Sequence, residues 1–198
     1  ASGFALYRSS DSGLSWSRRA AGQDLGYIVD LEVPASDANL VYVLASGGLM
    51  KSVDGGASFV AASNGLPSAG LVARDLAIRP DDPNTLVLTS STHGAFRSVD
   101  GGSSWAPIGV GVLPGYLSQV AYDPNNPGVL LISPCAPDDG SPYTGAHLYR
   151  SSDGGTSFSG VTVSGMDPGV AACTAALTYS PLTPGLVLGS DGAGPFAP

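Results

Sequence analysis

The sequence predicts an all-β fold made of about four copies of one four-stranded antiparallel sheet. Three observations predict it: an eight-residue motif that returns four times, period-two alternation of apolar residues between its copies, and an acid complement that is almost entirely aspartate. Of 16 acidic residues, 15 are Asp and only Glu32 is Glu; Asp favours turns and Glu favours helices, so the skew points to many turns and little helix. The 28 Gly and 16 Pro recur at fixed places and therefore read as turn residues, not as the signature of a disordered chain.

The motif runs Ser9-Ser10-Asp11-Ser12-Gly13-Leu14-Ser15-Trp16 and returns as Ser52-Val53-Asp54-Gly55-Gly56-Ala57-Ser58-Phe59. It appears again as Ser98-Val99-Asp100-Gly101-Gly102-Ser103-Ser104-Trp105 and as Ser151-Ser152-Asp153-Gly154-Gly155-Thr156-Ser157-Phe158. The pattern is S-x-D-x-G-x-S-[WF], with its aspartates 43, 46 and 53 residues apart, a period that marks repeat architectures. Each copy follows an apolar and basic pair: Tyr7-Arg8, Met50-Lys51, Phe96-Arg97 and Tyr149-Arg150.

Between the motifs lies a second signature, Asp75 to Asn84 followed by the apolar run Thr85-Leu86-Val87-Leu88, with counterparts over Asp30 to Val43, Gln119 to Ile132 and Ala176 to Leu188. Alternation places Leu31 and Val33, Leu76 and Ile78, Val120 and Tyr122, and Leu177 and Tyr179 on one face of a strand. Four strands per repeat follow: A over 75–79, B over 85–90, C over 94–98 and D over 104–108. The Pro-Asp-Asp-Pro-Asn turn joins A to B, the Thr92-His93-Gly94 loop joins B to C, and the motif joins C to D. A unit of about 45 residues holding four antiparallel strands has the size of a propeller blade, so residues 1–198 read as one β-propeller region of four repeats.

The motif has its own physical logic. Its aspartates, Asp11, Asp54, Asp100 and Asp153, are expected to accept backbone N–H groups one or two residues on, closing an Asx turn. The glycines Gly13, Gly56, Gly102 and Gly155 are expected at positive φ, and the serine hydroxyls join the network. The closing Trp16, Phe59, Trp105 and Phe158 are expected to insert between the hairpin and the adjoining sheet as core, not to form a sugar-stacking platform.

On these residues the chain resembles the Asp-box, or BNR, repeat of β-propellers, and the D-x-x-x-x-P-x-x-P signature is most similar to the sortilin, xyloglucanase and photosystem-assembly-factor branch. The resemblance covers all four repeats. It implies that the boxes are structural and lie on the rim away from the binding face. It also implies that a sialidase is not expected: that activity needs an arginine triad and a Tyr with a Glu partner, and a matching set cannot be carried over to this sequence.

Residues 3–8 match strand C and Gly194-Pro195-Phe196 match the start of strand C, so the chain reads as strands C and D, three whole blades, then A and B. Two outcomes stay open. One is a closed four-bladed ring; the other is an arc of a larger propeller, completed by further blades from the rest of a longer protein or from another chain. The resemblance implies the arc, because family members are usually larger.

With A to D alternating in direction, the B-to-C loops and D-to-A connections share one face, and the A-to-B turns and boxes share the other. Ligand contacts are expected on the first: His93, the long loop with Asp138, Asp139 and Tyr143, and Tyr116, Tyr27 and Arg74. Cys135 and Cys173 fit either one disulfide pinning that loop or two buried thiols; the disulfide is the expectation.

The formal net charge of −8, with no basic stretch longer than Arg18-Arg19, argues against a nucleic-acid partner, because phosphate binding needs clustered cations. No run of 18 apolar residues provides a transmembrane segment, and the start at Ala1 without Met fits a mature secreted protein or an excised segment. A glycosidase needs two carboxyl groups flanking a cleft; adjacent Asp138 and Asp139 read more simply as a solvated loop. His93 and His147 without nearby Cys or Glu give no metal site, and no cofactor is implied. The expected function is a secreted or cell-surface module that binds a protein or glycan through the loop face. The alternatives are part of a glycan-active, xyloglucanase-like hydrolase whose cleft is completed elsewhere, and a structural or assembly subunit.

Overall fold

The computed structural model describes residues 5–135, 146, 148–162, 174–179 and 186–190, and every regular element among them is a strand. β1 (Leu6–Arg8) and β2 (Ser17–Arg19) form a two-stranded hairpin. Three four-stranded sheets follow: β3 (Ile28–Glu32), β4 (Val41–Ala45), β5 (Gly48–Ser52) and β6 (Val60–Ala61); β7 (Ala73–Arg79), β8 (Asp82–Ser90), β9 (Gly94–Ser98) and β10 (Ala106–Ile108); and β11 (Leu117–Asp123), β12 (Asn126–Pro134), β13 (Leu148–Ser151) and β14 (Ser159–Val161). β15 (Thr174–Tyr179) and β16 (Leu186–Ser190) close the series as a second two-stranded hairpin. Each sheet runs A-B-C-D in sequence order and every pairing is antiparallel. The innermost strands β3, β7, β11 and β15 touch in that order. The described residues thus trace an arc of a β-propeller: a two-stranded hairpin, three whole blades and a second two-stranded hairpin. Among the described residues β1 and β16 are not paired.

The turns between A and B are tighter than expected in two blades. Arg79 pairs with Asp82 and Asp123 with Asn126, each beside a register shift, so Pro80-Asp81 and Pro124-Asn125 alone make the bend and strand B starts earlier than the apolar run. A bulge accommodates Pro83 or Pro127, neither of which donates a ladder bond.

The core lies between blades. Leu76 of β7 packs with Tyr42, Leu44 and Leu49 of the preceding blade and with Trp105, while Val87 and Ala95 pack with Val120, Tyr122 and Ile132 of the next. Burying each such side chain contributes about 1.5–3 kcal/mol. The first repeat departs from this pattern. Leu31 is 40% exposed where its equivalent Leu76 is 1% exposed, and Trp16 is 63% exposed where Trp105 is 6%. The expectation that all four box aromatics are core is therefore corrected at Trp16: the aromatic is covered by the blade before it, and no described blade precedes the first.

The four boxes have one hydrogen-bond pattern. Oδ1 of Asp54 accepts from Ser52 Oγ at 2.7 Å and from Ser58 N at 2.9 Å, and its Oδ2 accepts from Ser58 Oγ at 2.6 Å; Gly56 N donates to Ser52 Oγ at 2.9 Å. Equivalent bonds form at Asp11, Asp100 and Asp153. The chief backbone donor lies four residues on, not one or two, which corrects the simple Asx turn: the carboxylate spans the whole hairpin bend. These bonds hold the carboxyls of Asp11 and Asp100 down at about 2, and those of Asp54 and Asp153 lower still, with the serine hydroxyl the largest cause. Two successive residues take positive φ, Gly55 and Gly56 at 69° and 84°, which explains the Gly-Gly of three boxes; in the first, Ser12 occupies that conformation at 58°.

The basic residue before each box has a structural use. Lys51 Nζ donates to Gly101 O in the next blade's box at 2.9 Å, joined there by the Tyr42 hydroxyl at 3.1 Å, and Arg97 Nη1 donates to Gly154 O at 3.1 Å. The first two whole blades thus each clamp the next through its rim.

Candidate binding face

The two loop sets segregate as the alternation of strands requires. On one face the B-to-C loops bond the D-to-A connections: Ser46 N to Tyr27 O at 2.8 Å, Ser91 N to Val72 O at 2.9 Å, Gly94 N to Gly115 O at 3.1 Å and Cys135 N to Tyr116 O at 2.9 Å. On the other face the boxes bond the A-to-B turn or the start of strand B: Gly55 N to Asn39 O at 2.8 Å, Gly101 N to Asn84 O at 2.9 Å and Gly154 N to Gly128 O at 2.9 Å.

The first face carries a cleft of about 950 Å³ that crosses the junction of the first two whole blades and reaches Ser118 and Gln119 of the third. Its size lies in the range of small-molecule and cofactor sites. Tyr27 and Arg74 line it, together with Val29, Leu66, Pro67 and Val72; Tyr27 and Val72 are exposed. Arg74 is the one charged side chain among the described lining residues, which include no carboxylate. The arrangement offers an aromatic ring, apolar side chains, one cation and loop backbone, a surface able to hold an extended ligand with anionic or hydrogen-bonding groups.

The other expected residues fall apart from this cleft. His93 is exposed on the same face, its Nδ1 2.9 Å from Thr92 Oγ1, which in turn donates to Gly70 O at 2.8 Å; it secures its own loop and does not line the cleft. Tyr116 lies on the β10–β11 connection of the third blade, also outside it. Asp138, Asp139, Tyr143, His147 and Cys173 lie outside the described residues. Cys135 is buried at the end of β12, and no described cysteine is a free thiol. Sequence reasoning missed the segment 66–72, whose apolar residues stand outside any period-two strand; that placement in a connection was the available signal.

A second constellation lies along the innermost strands. Asp30 Oδ2 accepts Leu76 N at 3.1 Å and Asp75 Oδ2 accepts Val120 N at 2.8 Å, so each aspartate stitches its strand to the innermost strand of the next blade. Burial, together with the neighbouring Asp30 charge, pushes the Asp75 carboxyl up to about 8, and burial pushes Glu32 up to about 7. A carboxyl held neutral at such values is a candidate acid. Here, however, both Asp75 oxygens are taken by backbone amides, Leu76 N at 3.0 Å and Val120 N, which makes it a structural stitch. Among the described residues no group of three His, Cys, Asp or Glu is placed to hold a metal ion.

Comparison with solved structures agrees with the fold. Over 78% of its length the chain is similar to an ancestral GH74 enzyme, with TM-score 0.64, 20% identity and 20% of that chain covered. Over 81% it is similar to the GH74 xyloglucanase from Xanthomonas campestris, with TM-score 0.56, 22% identity and 27% of that chain covered. Over 84% it is similar to YCF48 bound to D1 peptide, with TM-score 0.59, 20% identity and 49% of that chain covered. These are β-propeller proteins, and the chain spans less than half the length of each. No protein-family model and no curated relative matches.

Proposed function

We propose that this arc is a secreted or cell-surface interaction module of the Asp-box type, nearest the sortilin, xyloglucanase and assembly-factor branch, and that it binds a protein or glycan segment in the cleft between its first two whole blades. The observation that carries the reading is the cleft itself, on the face opposite the boxes, lined by Tyr27 and Arg74 with Val29, Leu66, Pro67 and Val72. Its similarity to a propeller solved with a bound peptide supports an extended protein segment as ligand. A disulfide between Cys135 and Cys173 belongs to the same reading, supported by the absence of a free thiol among the described residues.

The test is a screen of the intact chain against peptide and glycan arrays, followed by titration of each hit into Tyr27→Ala and Arg74→Ala. Loss of about tenfold or more in affinity, at unchanged thermal stability, is expected of contacts at the centre of a site. Hits that bind both variants as tightly as the parent place the site elsewhere.

The similarity to GH74 enzymes favours a second reading, part of a glycan-active hydrolase. The described cleft lining holds no carboxylate, so this reading needs both acids from outside it. Hydrolysis of a xyloglucan oligosaccharide by the chain alone decides for it.

A further inference from the structure

Among the described D-to-A connections the longest is the one that enters the second whole blade: it spans 62–72, against 20–27 and 109–116. Leu66, Pro67, Gly70, Leu71 and Val72 of that connection all line the cleft. A long connection outside the strand ladders must have its ordering paid for by specific contacts, and here one side chain fastens its last three residues. Thr92 Oγ1, in the β8–β9 loop, donates to Gly70 O at 2.8 Å and accepts from Val72 N at 3.0 Å. The two bonds bracket Leu71, just after the bend at Gly70, where φ is 71°. The hydroxyl has one proton, and Gly70 O takes it, so Ser90 Oγ and His93 Nδ1, at 3.0 and 2.9 Å from the same oxygen, compete as donors for its remaining lone pair. Ser90 Oγ in turn accepts from Thr92 N at 3.1 Å and from His93 N at 3.3 Å, which fixes the loop that carries the hydroxyl.

The repeat itself does not require this residue. In the three whole blades the B-to-C loop bonds the incoming connection through the N–H of Ser46, Ser91 or Cys135, given to Tyr27 O, Val72 O or Tyr116 O. The residue that follows is Gly47, Thr92 or Ala136, so a hydroxyl stands at that position only in the blade whose entering connection supplies Leu66 and Val72 to the cleft. We propose that Thr92 is the positioning residue of the cleft: its hydroxyl holds 70–72 where Leu71 and Val72 meet a ligand, and binding depends on it although Thr92 does not line the cleft. This role rests on the cleft being the binding site. Without the hydroxyl, Gly70 O and Val72 N turn to water, and an incoming ligand has to order the wall itself, which subtracts from its affinity.

The experiment uses the 198-residue chain and, as probe, anilinonaphthalene sulfonate, an aromatic anion suited to Tyr27, Val72 and Arg74 in the cleft, whose binding is followed by fluorescence. Thr92→Val keeps the shape of the side chain and loses its hydroxyl. It is expected to raise the probe's dissociation constant about tenfold, as the loss of two hydrogen bonds would. In the absence of probe it is expected to speed exchange of the Val72 amide proton by at least about tenfold, with melting within about 6 °C of the parent. Thr92→Ser, which keeps the hydroxyl, is expected to match the parent in both affinity and exchange. Tyr27→Ala and Arg74→Ala are expected to weaken the probe while Val72 exchange stays at the parental rate. Unchanged Val72 exchange in Thr92→Val overturns the fastening. Faster exchange with parental affinity, while Tyr27→Ala and Arg74→Ala bind weakly, overturns the positioning role and leaves the cleft as the site. No saturable binding, or binding indifferent to Tyr27→Ala, Arg74→Ala and Thr92→Val alike, overturns the cleft and this role with it. A loss of affinity that Thr92→Ser shares, or a larger fall in melting, assigns Thr92 to the fold alone and overturns the proposal as well.

Discussion

Trp105 tests whether stability resides between blades or within them. Its ring is buried against the preceding blade, with Nε1 donating to Ala62 O at 2.8 Å and its backbone N donating to Asn64 O at 2.9 Å. Trp105→Phe keeps most of the apolar contact but leaves the buried Ala62 carbonyl without its donor, a loss of about 1–3 kcal/mol. Trp105→Ala also removes the ring and opens a cavity, about 3–5 kcal/mol in all. For a chain of this size each kcal/mol moves Tm by about 2–4 °C, so the alanine variant should melt roughly 6–20 °C lower. The control is Trp16→Ala. Trp16 holds the same box position, but its Nε1 donates to Gly13 O in its own turn at 3.0 Å and its ring is exposed. Its loss should change stability by no more than about 0.5 kcal/mol, as for exposed sites without special contacts. Urea unfolding followed by far-UV circular dichroism measures all three. Equal losses at Trp16 and Trp105 would refute the reasoning, since the aromatic would then act inside its own hairpin.

Two further predictions concern polar groups. Stability should peak in mildly acidic solution. The box aspartates, held at or below about 2, contribute stability that is present above their unfolded value near 3.8 and is lost as pH falls through the folded one. Asp75 at about 8 and Glu32 at about 7 contribute stability that is complete below about 4 and is lost as pH rises through those values. Asp75→Asn, which cannot ionise, should flatten the alkaline limb; a limb of unchanged slope assigns it to other groups. The Tyr122 hydroxyl is buried with no hydrogen-bond partner among the described residues, so Tyr122→Phe should leave the melting temperature unchanged or raise it, and a drop of several degrees would reveal a partner for that oxygen.

The repeat was legible because one physical problem, a tight bend between strands C and D, is solved four times by the same residue types at the same spacing. Strand order, the alternating faces of the A strands and the separation of the two loop sets all follow from that, and the structure reproduces them. Three features were illegible for separate reasons. The reach of the box carboxylate to the amide four residues on depends on two consecutive left-handed residues, and only the second was anticipated, although Gly-Gly stands in three of the four boxes. The clamp from Lys51 and Arg97 to the next box crosses between repeats, and no spacing within one repeat encodes it. The cleft lining at 66–72 sits in an aperiodic connection, where pattern carries no directional information; of the residues singled out in advance, Tyr27 just before β3 and Arg74 near the start of β7 line the cleft.

Since the buried contacts connect each blade to its neighbours, stability in this arc follows nearest-neighbour arithmetic, as in other repeat architectures. A blade with a described neighbour on both sides keeps two interfaces. The cleft sits at the junction between the two whole blades β3–β6 and β7–β10, whose cluster joins Tyr42, Leu44 and Leu49 to Leu76, Phe96 and Trp105. Its walls therefore rest on a rigid junction while its rim is made of loops, the combination that holds a binding surface in shape without freezing the groups that contact a ligand. Substitutions at Leu31 or Trp16, both exposed and away from that junction, should consequently leave cleft affinity untouched, whereas Trp105→Ala, which loosens the junction beneath the cleft, should weaken ligand binding together with stability.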